Sequence, residues 1–128
     1  MPSTPEQRKQ YAMTFSGRAN KMWHNAKRRS KSKNSDVTVT VDWIAKKLEK
    51  GICEYTGLPF DLNAANEFSS NPYAPSLDRI DPKVKNYTPE NTRVVLTAVN
   101  KTLNEYGGQT VLPILKAMIS VIENEKCR

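Results

Sequence analysis

Three features of this 128-residue sequence predict an α+β fold. Two short β-prone runs, "SLDRI" (76–80) and "TRVVL" (92–96), flank the polar loop "KVKNYTPEN". The second run passes straight into a helix-compatible stretch, Thr97–Tyr106, which Gly107-Gly108 should stop. Helical patterns lie on both sides of this strand–loop–strand–helix centre, the arrangement of a mixed domain with segregated helices.

The remaining elements follow in order. Residues 5–29 contain no proline after Pro5, which suits a first helical turn, and Tyr11, Phe15, Ala19, Met22 and Ala26 give a loose apolar stripe. Gly17 weakens the middle of that helix and marks a possible break. "RRSKSKNSD" reads as an exposed loop, and "VTVTV" (37–41) alternates as a short strand would. Asp42 is expected to cap the helix "WIAKKLEK", in which Ile44 and Leu48 share a face and which Gly51 ends. "ICEYTGLPFDL" is a strand or extended loop containing a Thr-Gly turn, and "NAANEFSSNPYAP" is a turn-rich insertion. Thr110 is the expected cap of a last helix, with Pro113 in its first turn and Leu115, Met118, Ile119 and Ile122 on one apolar face.

Charge is segregated along the chain. Residues 1–33 carry nine basic side chains against one acidic, a net of +8, whereas residues 34–128 carry eleven against twelve. A block of this kind favours a polyanion, because each Lys or Arg that meets a phosphate releases counterions. No bulky apolar face adjoins the block, so nucleic acid is preferred over a membrane surface; a solvated basic tail is the alternative. The expected organisation is a basic helical DNA-binding arm over 1–35 and a second unit over 36–128. Within the arm, Arg18, Lys21, Lys27, Arg28, Arg29, Lys31 and Lys33 are the candidate DNA-binding residues. The two cysteines, Cys53 and Cys127, are too few for a disulfide framework and lack zinc-knuckle spacing. With no signal peptide and no apolar run of membrane-spanning length, the expectation is a soluble, cytoplasmic protein.

The segments "CEYTGLPFDL", "PSLDRIDP", "YTPENTRVV" and "AVNKTLNEYG" together resemble the HNH endonucleases, also known as ββα-metal or His-Me finger nucleases, and most closely their small phage-encoded members. The resemblance covers roughly residues 36–107. It implies a ββα-metal core flanked by helices and a metal-dependent endonuclease that hydrolyses phosphodiester bonds in double-stranded DNA, in the cytoplasm of the host cell if phage-encoded. It also implies roles for residues. Asp78 matches the metal-binding acidic residue, and Asn91 matches the central asparagine that pins the loop and orients the base. Asn100 matches the last metal ligand of the motif, and Asn104 the further ligand of the colicin-type branch. Arg79 stands where the family carries its general-base histidine. Cys53 matches the first zinc-knuckle cysteine of some members, but Thr56 holds the partner position, so no structural zinc is expected.

The residues themselves support part of this. Positions 100 and 104 project from one face of a helix, so two carboxamide oxygens could join one carboxylate around an ion. That hard-oxygen set suits Mg²⁺, Mn²⁺ or Ca²⁺ rather than zinc, and a single Mg²⁺ or Mn²⁺ is the expected cofactor. The simpler roles are ion pairing of Asp78 with Arg79 or Arg93 and solvent exposure of both asparagines. A guanidinium cannot accept a proton at neutral pH, so Arg79 is suited to gripping phosphate rather than to base catalysis. His24 on the basic helix, Asp81 beside a proline turn, or a hydroxide formed without a side-chain base remain as sources of the nucleophile. A non-catalytic DNA-binding protein on a degenerate scaffold is the competing reading, with an RNA-binding or regulatory protein behind it. The sequence leaves the oligomeric state open.

Overall fold

The computed structural model describes residues 4–12, 14–62 and 71–125. Its elements run α1 (Pro5–Ala12), α2 (Phe15–Ser32), α3 (Val41–Lys50), β1 (Pro75–Arg79), β2 (Thr92–Leu96), α4 (Thr97–Leu103) and α5 (Gly108–Asn124), an α+β order. Most of the turn-rich insertion (63–70), Cys127 and the side chain of Tyr11 lie outside the described residues.

The expected helix over 5–29 is two helices, and the break falls at Thr14 rather than at Gly17. Thr14 is extended, and its hydroxyl accepts the Gly17 N–H at 2.9 Å, satisfying a first-turn donor of α2 that has no partner within the helix. From there α2 continues to Ser32, taking in part of the run expected as loop. The strand expected at 37–41 does not form. Val37 makes one isolated bridge to Tyr87, and Thr40, not Asp42, caps α3 by accepting the Trp43 N–H at 3.0 Å. Asp42 instead sits in the first turn, where a negative charge complements the helix dipole, and pairs with Lys46 at 3.2 Å. Gly51 ends α3 as expected, in the left-handed conformation (φ 73°).

β1 and β2 pair antiparallel, with Leu77 opposite Val94, Asp78 opposite Arg93 and Arg79 opposite Thr92. Val94 and Val95 are both fully buried although they point to opposite faces, so β2 is covered on both sides. Its outer edge is covered by the 52–59 turn. The Glu54 N–H donates to Val94 O at 3.0 Å, and Glu54 Oε1 accepts the Val94 N–H at 2.8 Å. The Leu96 N–H reaches Cys53 Sγ at 3.3 Å. Burial pushes the Cys53 thiol up, but hydrogen bonds from Thr56, Leu96 and Tyr55 outweigh that effect and hold it below the usual thiol value. An edge left without such partners would offer its N–H and C=O groups to other chains.

The core draws Ala19 and Ala26 of α2 together with Ile44 and Leu48 of α3 and the two valines of β2. α2, within the arm expected over 1–35, packs into this same core. α4 is shorter than the expected 97–106: Asn104 takes φ 43° and leaves the helix. α5 begins at Gly108, two residues before the expected cap Thr110, which puts Pro113 inside the helix rather than in its first turn. Among the described residues no helix is long and apolar enough to cross a membrane.

Candidate functional site

The end of β1, the end of α4 and the end of α2 meet around a polar cleft of about 150 Å³. Four of the residues singled out as catalytic or metal-binding line it: Asp78, Arg79, Asn100 and Asn104. Lys33, Lys85 and Glu105 complete the charged lining.

Asp78 is 5% exposed, and its Oδ2 accepts a charge-assisted hydrogen bond from Arg93 Nε at 2.7 Å. The pair follows from the register, which sets the two residues directly opposite each other. Burial raises the Asp78 carboxyl above its ordinary value, and Arg93 and Arg79 offset only part of that rise. Asn100 is fixed by its amide nitrogen, which donates to Ser76 Oγ at 2.8 Å and to Leu77 O at 3.0 Å. A backbone carbonyl can only accept, so the NH₂ must face β1 and Oδ1 is turned the other way. Asn104 lies one turn beyond Asn100, its N–H donating to Asn100 O at 2.8 Å, and the two line the same cleft. Asn104 is the C-cap of α4 at positive φ, a conformation that asparagine tolerates better than most residues, and it reaches the cleft from there.

Asn91 does not line the cleft; it organises the loop beneath it. Its Oδ1 accepts the Asp81 N–H at 2.8 Å, while Nδ2 donates to Val84 O (3.0 Å), Asn86 O (3.2 Å) and Asp81 O (3.3 Å). The Asn91 carbonyl accepts the Ile80 N–H at 2.8 Å. One side chain thus ties the 81–86 loop to the start of β2, just beyond Arg79. Asp81 is a turn initiator, its Oδ1 accepting the Lys83 N–H at 3.0 Å.

No family model matches the chain, and no curated protein or solved structure shows significant similarity to it. The chemistry of the site therefore rests on its own geometry. Among the described residues no three His, Cys, Asp or Glu side chains cluster as a metal centre. The candidate donors are of another kind: the Asp78 and Glu105 carboxyl groups and the Asn100 and Asn104 carboxamides, all on this cleft. Oxygen-only donors of this type could hold one Mg²⁺ or Mn²⁺, with the remaining positions filled by water and substrate.

The basic residues of α2 divide into three sets. Arg18 is half-buried near Asp61, and burial pulls its guanidinium down. Lys21, Lys27, Arg28 and Lys31 are exposed. Arg29 and Lys33, with Asn25, form an i, i+4, i+8 stripe that reaches the site. Asn25 and Arg29 line an adjoining cleft of about 550 Å³ that shares Asn100 and Asn104 with the first, and Lys33 lines the first. His24 is exposed beside Trp23, ring centroids 5.0 Å apart, and lines neither cleft.

Tyr87 and Glu105 were not recognisable from the sequence. The buried Tyr87 ring has the Arg79 guanidinium 5.6 Å from its centroid and that of Arg29 at 5.9 Å, and Arg29 donates to its hydroxyl at 3.4 Å. Cation–π contact with one ring thereby brings two arginines from distant parts of the chain together. The only sequence signal was an aromatic residue in an otherwise polar loop. Glu105 carried none, because the turn that aims it at the cleft depends on the unwinding at Asn104.

Proposed function

We propose that this chain is a divalent-metal-dependent DNA endonuclease of HNH type that hydrolyses phosphodiester bonds in double-stranded DNA. The observation that carries this reading is the convergence of Asp78, Asn100 and Asn104 with Arg79 and Lys33 on one small cleft. In that reading β1, the Asn91-pinned loop, β2 and α4 are the ββα-metal core. Asp78, Asn100 and Asn104 would hold one Mg²⁺ or Mn²⁺. Such an ion supplies Lewis-acid stabilisation of the charge that builds on the phosphorus oxygens and the leaving 3′ oxygen.

The side chains of the chain supply the rest. Arg79, kept close to the cleft by Tyr87, binds non-bridging phosphate oxygens and offsets their growing charge. Lys33, Lys85 and Arg29 hold the adjacent backbone. Glu105 is assigned the proton of the attacking water, because Asp78 is given to the ion and neither His24 nor Asp81 lines the cleft. A positioned base of this kind contributes about 10²–10⁴-fold to rate. The deciding experiment incubates the purified chain with supercoiled plasmid in Mg²⁺, in Mn²⁺ and in EDTA. Nicked or linear product that disappears in EDTA, and that Glu105→Gln reduces at unchanged DNA affinity, supports the enzyme.

One observation favours a second reading, a non-catalytic DNA-binding protein on the same scaffold. The cleft carries Lys33, Arg79 and Lys85 but no histidine, a lining that suits a bound phosphate as well as a cleaved one. Retarded but intact plasmid in all three conditions selects that reading. Both readings use the exposed face of α2 as the anchor. Replacing Lys27, Arg28 and Lys31 by alanine should weaken binding about equally for unrelated sequences and flatten the slope of log K against log salt by roughly 0.9 per lost contact, up to about 2.7. An unchanged slope removes that face from the interface.

A further inference from the structure

α5 is only lightly embedded. It is about 25 Å long by its 17 residues, and of its apolar side chains only Val111 is buried and Leu115 half-buried. Leu112, Ile114, Met118, Ile119, Val121 and Ile122 are between 41% and 59% exposed. These side chains wrap around half the helix circumference or more, beyond what a surface helix normally shows to water. The N-terminal half rests on α4; the C-terminal half projects with its apolar residues uncovered. An apolar groove of about 410 Å³ adjoins it, lined by Tyr55, Leu58, Tyr73, Leu103 and Leu115. The exposed apolar surface therefore runs on from the helix to the body of the protein.

We infer that this surface is a homodimer interface, in which the C-terminal half of α5 packs antiparallel against α5 of a second copy. Charge is the first argument. Lys116 and Glu123 are the only charged side chains between Gly108 and Asn124, so the helix is neutral and a strongly charged partner has nothing to recognise. The two lie seven residues apart and therefore on one flank of the helix. In an antiparallel pair centred between Ile119 and Ser120, each Lys116 faces the Glu123 of the other copy, a self-complementary pattern of the kind a two-fold interface requires. Area is the second argument. Met118, Ile119, Val121 and Ile122 offer on the order of 350 Å² per chain, about 700 Å² for a pair, and the apolar surface that continues over Leu112, Ile114 and the groove is needed to reach the roughly 1,000 Å² of a small specific interface. A membrane surface fits less well, since an interfacial helix carries several Lys or Arg on its polar face and α5 has one.

Sedimentation equilibrium of the full chain tests this, because a dimer of this size must be concentration-dependent. The expected result is a species of twice 14.5 kDa that dissociates on dilution. Ile119→Glu with Ile122→Glu should raise the dimer dissociation constant at least about 100-fold with the far-UV circular dichroism unchanged, since both positions are exposed in the single chain. Lys116→Glu should weaken the dimer about 3–10-fold, and adding Glu123→Lys should restore it. A chain that stays at 14.5 kDa up to about 200 μM, whether or not it binds anionic vesicles, overturns the inference. So does a dimer indifferent to the Ile119 and Ile122 substitutions, or a charge swap that does not restore what Lys116→Glu removed.

Discussion

Asp78→Asn is expected to lower metal-dependent plasmid cleavage by at least about 10³-fold, roughly 4 kcal/mol of transition-state stabilisation, while moving the melting temperature by only a few degrees. The two effects separate because Asp78 is a poor source of stability. Its carboxylate is 5% exposed, and removing a charge from water costs energy that one hydrogen-bonded arginine returns only in part. Asparagine keeps the shape and keeps an oxygen that can accept from Arg93 Nε. It lacks the negative charge a divalent ion needs in a cleft already carrying Lys33, Arg79 and Lys85. A drop of more than about ten degrees would make Asp78 a structural ion-pair partner first and weaken its assignment as a ligand.

The pH dependence gives the same prediction a sign. Burial holds the folded-state value of Asp78 above its ordinary one. Its contribution to stability is therefore fully present below the ordinary carboxylate range and is lost as pH rises through the folded value. The native chain should lose ground to the asparagine variant as pH rises from about 3 towards 7, measured as the difference in melting temperature at each pH. The opposite slope would mean that Arg93 dominates over burial.

Local residue chemistry explains why some of this architecture was legible in the sequence. The two β-prone runs became β1 and β2, and Gly51 ended α3, because each depends on neighbours within a few positions. Elements that depend on a distant partner were not legible. "VTVTV" has the alternation of a strand, but beside it lies only the Tyr87 backbone, and the Thr40 cap claims its end for α3. The arm that composition marked as separate is held in the core by Ala19 and Ala26, whose small size gives no periodic signal as strong as that of leucine or isoleucine. In the site, Asp78 and Asn100 could be singled out by motif, whereas choosing Arg93 over Arg79 as the ion-pair partner of Asp78 required the strand register. Asn104 lines the cleft one turn beyond Asn100, as its spacing implied, but that α4 would end there at positive φ, with Glu105 following it on the cleft, carried no local signal.

Asn91→Asp is the second substitution with a large expected effect, and it is nearly isosteric. The native side chain accepts one N–H, from Asp81, and donates to three carbonyls, those of Asp81, Val84 and Asn86. Only a carboxamide can do both. Aspartate keeps the acceptor but turns an anionic oxygen towards three carbonyl oxygens. Alanine leaves the same carbonyls unpaired and, being partly accessible, open to water. Losing these bonds should cost about 2–3 kcal/mol for Asn91→Ala at neutral pH, and Asn91→Asp about 1 kcal/mol more. The order should reverse in acid. Three facing carbonyls favour the protonated form of the new carboxyl, so its folded-state value lies above the ordinary one. Its stability contribution then returns as pH falls, when the O–H can donate to one of the carbonyls. Denaturant titrations of both variants at neutral pH and near pH 4 measure this crossing. Two variants of equal stability at every pH would mean that the loop is held by its backbone alone, and that the position of Arg79 does not depend on Asn91.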